Sequence, residues 1–84
     1  MKKTYKDVIA KLIDEYMGLS VNFYYWDMRC DLEPHNKIWC SIRNDYSNMR
    51  GGIERVLEEF VSDATLEETR QAAFEEARIQ IEGS

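Results

Sequence analysis

The sequence predicts a small α+β domain in which an antiparallel β-hairpin packs on helices, in the order α-β-β-α-α. Three observations lead to this prediction. Residues 19–44 are rich in Val, Ile, Phe, Tyr and Trp and contain no alanine, a composition typical of strands. Strong turn residues, Glu33-Pro34-His35-Asn36, lie near the middle of that stretch. Apolar residues recur at helical spacing before and after it.

The first helix is expected to begin at Thr4, with Asp7 in its first turn, where a negative charge is favourable. Gly18 is a suitable residue to end it. An apolar stripe at helical spacing indicates the face that packs into the core. The stripe consists of Tyr5, Val8, Ile9, Leu12, Ile13 and Tyr16.

The register of the hairpin follows from placing the centre of its turn at His35. Strand side chains alternate between two faces, so this register makes one face apolar and gives the other charged residues and a tryptophan. The apolar face pairs Met28 with Ile42, Cys30 with Cys40 and Leu32 with Ile38. The opposite face pairs Asp27 with Arg43, Arg29 with Ser41 and Asp31 with Trp39.

Two features of this stretch leave alternatives open. The alternation changes phase near Tyr24-Tyr25, which either a β-bulge or a separate short strand would explain. An all-α, four-helix fold is the rival architecture, because many of the same residues also fit helical spacing. These are Val21, Tyr24, Tyr25, Met28 and Leu32, followed by Ile38, Ile42, Tyr46, Met49 and Ile53.

Two helices are predicted after the hairpin. Residues 44–48 look like a polar connection, and the next helix is expected to run to about Ser62, its regular part starting near Gly52 because paired glycines disfavour a helix. Thr65-Leu66-Glu67-Glu68 matches a capping box. The last helix is therefore expected from Leu66 to about Ile81.

Length and composition indicate one domain, residues 1–84. We expect a cytoplasmic protein with reduced cysteines, because the sequence has neither a bilayer-length apolar run nor a signal-peptide pattern. The net charge is −5, and it is unevenly distributed. Residues 1–53 have eight basic and seven acidic side chains, whereas residues 54–84 have three basic and nine acidic ones. This distribution disfavours nucleic-acid binding and favours a positively charged partner.

No catalytic, metal-binding or cofactor-binding motif is found. Cys30, His35 and Cys40 supply three candidate zinc ligands, but structural zinc requires four. A cross-strand disulfide between the two cysteines is geometrically conceivable, although reduced thiols are the expectation in the cytoplasm. Neighbouring glutamates on a helix point in different directions, which argues against a catalytic carboxylate pair. We therefore expect no enzymatic activity and no cofactor.

The predicted function is protein binding without catalysis. The most concrete version is a small acidic inhibitor that occupies a basic nucleic-acid-binding site of a larger protein. In its size, its acidity and its predicted mixture of helices and a hairpin, the chain resembles some phage-encoded inhibitors of bacterial defence systems, including anti-CRISPR proteins. It shares no motif with them. The candidate binding residues are Tyr25, Trp26, Trp39, Glu54, Glu58, Glu59, Asp63, Glu67, Glu68, Glu75 and Glu76.

Two alternative functions would use other residues of the chain. A nucleotide or small-ligand binder would stack a base on Trp39 or Tyr25 and bind phosphate through arginines. The arginines in question are Arg29, Arg43 and Arg50. The second alternative is a homo-oligomeric structural or regulatory subunit, for which a homodimer is the simplest form.

Overall fold

The structure, a computed structural model, describes residues 5–83. They form three helices, α1 (Tyr5–Leu32), α2 (Lys37–Glu58) and α3 (Asp63–Glu82). There is no strand among residues 5–83, so the α+β prediction with its hairpin is wrong. The all-helical alternative is nearer, with three helices in place of four.

Residues 19–32 are helical because their apolar side chains also recur every three or four residues. As part of α1 they pack against two other helices, and such burial outweighs intrinsic strand preference. Gly18 does not end the helix, because its φ is not positive and the chain continues through it. The change of phase near Tyr24 therefore needs neither a bulge nor a second strand.

The pairing predicted for the hairpin is partly preserved between helices. Cys30 and Cys40 lie 5.2 Å apart at Cα and are joined by a disulfide. Arg43 Nη1 lies 3.6 Å from Asp27 Oδ1. Two antiparallel helices joined at the same turn also place residues whose numbers sum to about 70 side by side. The location of the turn was therefore predicted correctly, whereas the type of element was not.

Side-chain caps determine where α2 and α3 begin. Asn36 Oδ1 accepts a hydrogen bond from Trp39 N at 3.1 Å, which caps α2. Ser62 Oγ accepts one from Thr65 N at 3.2 Å and caps α3. The predicted capping box at Thr65 is therefore wrong, because the helix begins one turn earlier. Residues 44–48 are helical, and α2 ends at Glu58. The predicted start at Thr4 lies outside the described residues.

The helices form an up-down-up arrangement centred on α1. Helices α2 and α3 both pack along α1 but approach each other closely at few positions. Among residues 5–83 the buried apolar side chains are Tyr16, Cys30, Leu57, Leu66, Ala73 and Ala77. This small core belongs to an elongated molecule with extents of 47 × 26 × 22 Å. Much apolar surface consequently remains outside it.

Candidate protein-binding site

A polar network joins the three helices at the centre of the molecule. Tyr16 of α1 is fully buried, and its hydroxyl donates a hydrogen bond to Glu54 Oε1 of α2 at 2.6 Å. Arg70 of α3 donates from Nε to the Tyr16 hydroxyl at 2.9 Å and to Glu54 Oε1 at 3.1 Å. One carboxylate oxygen therefore accepts hydrogen bonds from two other helices.

The network shifts the ionisation of its members. Burial, together with the hydrogen bond to Glu54, raises the pKa of Tyr16 above its ordinary value. Burial alone would also raise the pKa of Glu54, but the hydrogen bonds from Tyr16 and Arg70 outweigh it and lower that pKa. The hydrogen bond to Glu54 raises the pKa of Arg70. At neutral pH the network is thus a neutral phenol between a carboxylate and a guanidinium.

Arg50 occupies an aromatic pocket next to this network. Its guanidinium carbon lies 5.0–5.3 Å from the ring centroids of Tyr16, Phe23 and Tyr24, within the range of cation–π attraction. Its Nε donates to Ser20 Oγ at 2.7 Å and its Nη2 to the Tyr24 hydroxyl at 2.8 Å. These contacts orient Tyr24 towards α3.

A groove of about 530 Å³ opens between α1 and α3 above the network. The rings of Tyr24 and Phe74 meet edge to face in it, with centroids 5.5 Å apart. Phe74 is 46 % exposed, so part of its ring is available to a ligand or partner. The remaining lining residues are polar: Glu67, Arg70, Gln71 and Glu75.

Acidic side chains surround this groove and cover the outer surface of α3. The helix contains six acidic and two basic residues, which gives it −4 of the chain's net charge of −5. Arg78 bonds to Glu75 and thereby lowers the pKa of that carboxyl, so Glu75 is ionised at neutral pH. The predicted binding residues that lie exposed on α3 are Asp63, Glu67, Glu68, Glu75 and Glu76.

The other predicted acidic residues lie on α2 or beside it. Glu58 and Glu59 are exposed at the carboxyl end of α2, close in sequence to the start of α3. Glu54 is different, because its carboxylate is used inside the network. Glu54 therefore has a structural role within the network.

The three predicted aromatic residues form a separate cluster on α1 and α2. The ring of Trp26 lies 5.2 Å from that of Tyr25 and 6.4 Å from that of Trp39. Arg29 lies over Tyr25 and Trp39 at 5.2 and 5.3 Å. All three rings are half-buried. Because these residues belong to helices, the outward hairpin face on which Tyr25 and Trp39 were predicted to lie does not exist.

The candidate phosphate-binding arginines are engaged within the chain. Arg29 donates two hydrogen bonds to the Tyr25 hydroxyl, and Arg43 pairs with Asp27. Arg50 is surrounded by the rings described above. A phosphate would therefore have to displace partners that each of these guanidinium groups already has.

Both cysteines are used in the disulfide that links α1 to α2, so the expectation of reduced cysteines is wrong. The bond removes two of the three ligands considered for zinc. Within residues 5–83, no group of three or more His, Cys, Asp or Glu side chains is arranged to bind a metal ion.

Four residues of the groove were not predicted as site residues from the sequence, namely Tyr24, Arg70, Gln71 and Phe74. The apolar spacing of the last helix predicts a core position for Phe74, whereas the residue is 46 % exposed. One available signal was position: Phe74 follows Glu67 by seven residues, so both lie on one side of α3. Only the packing of α3 on α1 brings Tyr24 to the same place.

Comparison with known proteins identifies no relative: no family model, curated protein or solved structure matches this chain. Within residues 5–83, none of the helices combines the length and the apolar composition required to cross a membrane.

Proposed function

We propose that the protein binds a positively charged protein partner through α3 and the groove beside it. The observation that supports this most strongly is the concentration of four of the five net negative charges on one exposed helix. Exposed carboxylates also improve solubility, but solubility does not require a concave site with a partly exposed aromatic ring next to them. Long-range attraction would speed the encounter, and the groove would supply the specific contact.

The groove suits a lysine or arginine side chain of the partner. A cation placed over the ring of Phe74 would gain cation–π attraction. The lining of the groove also includes the carboxylates of Glu67 and Glu75, which pair with Arg70 and Arg78 within the chain. Arg70 would not repel it strongly, because its charge is already compensated by Glu54. Basic and aromatic anchors of this kind often dominate the energy of an interface.

In its most concrete form, the proposal is a small inhibitor that occupies the nucleic-acid-binding site of a larger protein, in the cytoplasm. The six carboxylates of α3 extend over about 30 Å, given 1.5 Å per helical residue. Duplex DNA has a higher charge density along its axis, so charge alone would not displace it. The contact at Phe74 would supply the remaining affinity.

The structure gives no support to the alternative of a nucleotide-binding protein. Each of its three candidate arginines already has aromatic or acidic partners within the chain. A phosphate would have to compete with those contacts.

A charge-reversal experiment tests the proposal. The variant replaces four exposed glutamates of α3 with lysine: Glu67, Glu68, Glu75 and Glu76. We expect it to lose capture of the basic protein that the wild-type chain retains from cell lysate at low salt, as measured by mass spectrometry. The fold should persist, because the ion pairs of Glu67 and Glu75 are exposed and contribute little to stability.

The matched control reverses four exposed carboxylates that lie outside α3, at Asp14, Asp31, Glu33 and Asp45. Both variants change the net charge by the same amount, from −5 to +3. The control should still capture the partner, with at most a moderate loss due to net charge. Equal loss in both variants would contradict a site on α3.

A further inference from the structure

Helices α1 and α2 meet along a seam of polar and sulfur contacts. Several contacts along it join residues whose numbers add up to 70, so a single register continues from the disulfide to the central network. They are the Cys30–Cys40 disulfide, the Asp27–Arg43 ion pair, and the hydrogen bonds from Arg50 to Ser20 and from Tyr16 to Glu54. Covalent, ionic and hydrogen bonds thus hold this register.

The apolar core lies at the opposite end of this seam from the disulfide. Its buried residues are Tyr16, Leu57 and Leu66. Among residues 37–58, all of which the structure describes, only Leu57 is buried. Cys40 precedes Leu57 by about 25 Å along α2, given 1.5 Å per helical residue. The first two turns of α2, residues 37–44, therefore do not contribute to the apolar core.

Apart from the disulfide, the contacts between residues 37–44 and α1 are weak. Arg43 and Asp27 are both partly exposed, and exposed ion pairs contribute little to stability. Trp39 is half-buried, and its ring centroid lies 6.4 Å from that of Trp26, near the upper limit of aromatic contact. The disulfide is therefore the strongest link between these two turns and α1.

One end of the disulfide is open to a reductant. Cys40 is partly exposed, whereas Cys30 is only 6 % exposed. A thiolate of a small dithiol can attack Cys40 Sγ, and Cys30 Sγ then leaves as a thiolate and takes up a proton. The second thiol of the reagent displaces Cys40 Sγ, which also takes up a proton. The protein thus gains two electrons and two protons, and the dithiol becomes a disulfide.

We propose that the disulfide is a redox switch that holds the first two turns of α2 against α1. Reduction releases residues 37–44, which separates Trp39 from Trp26 and from Arg29. The rest of the fold persists, because the core around Tyr16 includes no residue of this segment. The switch is independent of the proposed function, since the groove between α1 and α3 has no lining residue from this segment.

Quenching of tryptophan fluorescence by acrylamide tests the switch. Both tryptophans of the chain, Trp26 and Trp39, lie at the disulfide end of the seam. On reduction with excess dithiothreitol we expect the quenching constant to increase about twofold or more, as for a locally opened segment. The amide NMR signals of residues 53–66 should change little, because the core remains packed. Cys30→Ala/Cys40→Ala should match the reduced protein and should not respond to dithiothreitol.

A second preparation needs no substitution, so it decides the question if the double variant fails to fold. The wild type is reduced and both thiols are blocked with iodoacetamide, which prevents the disulfide from forming again. The blocked protein should keep the high quenching constant. Oxidised protein treated with iodoacetamide alone is the matched control and should keep the low one, because both cysteines are in the disulfide.

Two results would overturn the proposal. One is a quenching constant that stays the same on reduction, because the first two turns of α2 would then remain on α1 without the bond. The other is loss of the NMR signals of residues 53–66 together with the protection of the tryptophans. In that case the disulfide would hold the whole fold, and no segment would open separately.

Discussion

Replacing Glu54 with alanine should lower the free energy of unfolding by about 2–4 kcal/mol. The substitution leaves the Arg70 guanidinium and the buried Tyr16 hydroxyl without their shared acceptor. Few apolar side chains are fully buried in residues 5–83, so other packing offers little compensation. Urea unfolding followed by circular dichroism measures the change. Glu58→Ala is the control, since this glutamate is one turn away and exposed.

The contribution of Glu54 to the free energy of unfolding should also depend on pH. Its pKa is lowered in the folded protein, so the unfolded chain takes up a proton at this carboxyl more readily. The stabilisation is therefore complete above the unfolded pKa of about 4.3 and is lost as the pH falls through the lower folded value. The difference between wild type and Glu54→Ala should be large at pH 7 and should decrease as the pH falls below about 4. A loss no greater than that of Glu58→Ala at pH 7 would contradict the network.

Removing the disulfide should cost about 2–3 kcal/mol of stability. Cys30 and Cys40 are ten positions apart, and closing a loop of this length restricts the unfolded chain by roughly that amount. Urea unfolding with and without a phosphine reductant measures the loss. The reduced protein should also change its tryptophan fluorescence, because Trp39 lies next to Cys40 and contacts Trp26.

The double variant Cys30→Ala/Cys40→Ala serves as the control for the reductant. It should be as unstable as the reduced wild type and should not respond to reductant. Identical stability of the oxidised and reduced wild-type proteins would show that the disulfide does not stabilise the antiparallel pair of α1 and α2.

The disulfide also bears on the location of the protein, because the cytoplasm keeps most thiols reduced. In a cytoplasmic setting, the less stable reduced form would be the one present.

The sequence predicted several local features correctly, because they depend on neighbouring residues. The turn at Glu33–Asn36 follows from proline and asparagine chemistry, and it alone determines which residues of the antiparallel pair meet. The apolar stripe of the first helix predicts a packed face, and Ile9, Leu12 and Ile13 do pack on the core around Tyr16. Tyr5 and Val8, at the start of the predicted stripe, are exposed instead. Such features require no knowledge of distant parts of the chain.

The type of element at residues 19–44 depended on distant contacts. Aromatic and β-branched residues there favour a strand intrinsically, and α2 and α3 change the outcome by covering the helical faces. The groove could not be predicted for a similar reason. Tyr24 and Phe74 are fifty residues apart, and only the packing of α3 on α1 brings their rings together. The concentration of acidic residues on the last helix, by contrast, was visible in the sequence.

The central claim is that α3 competes with nucleic acid for a basic surface on the partner. The most direct measurement is the fluorescence anisotropy of a labelled nucleic acid bound to the captured partner, titrated with this protein. We expect the wild type to displace the nucleic acid and the variant with four reversed charges on α3 to leave it bound. Nucleic acid that stays bound while the wild-type protein saturates the partner would contradict the claim.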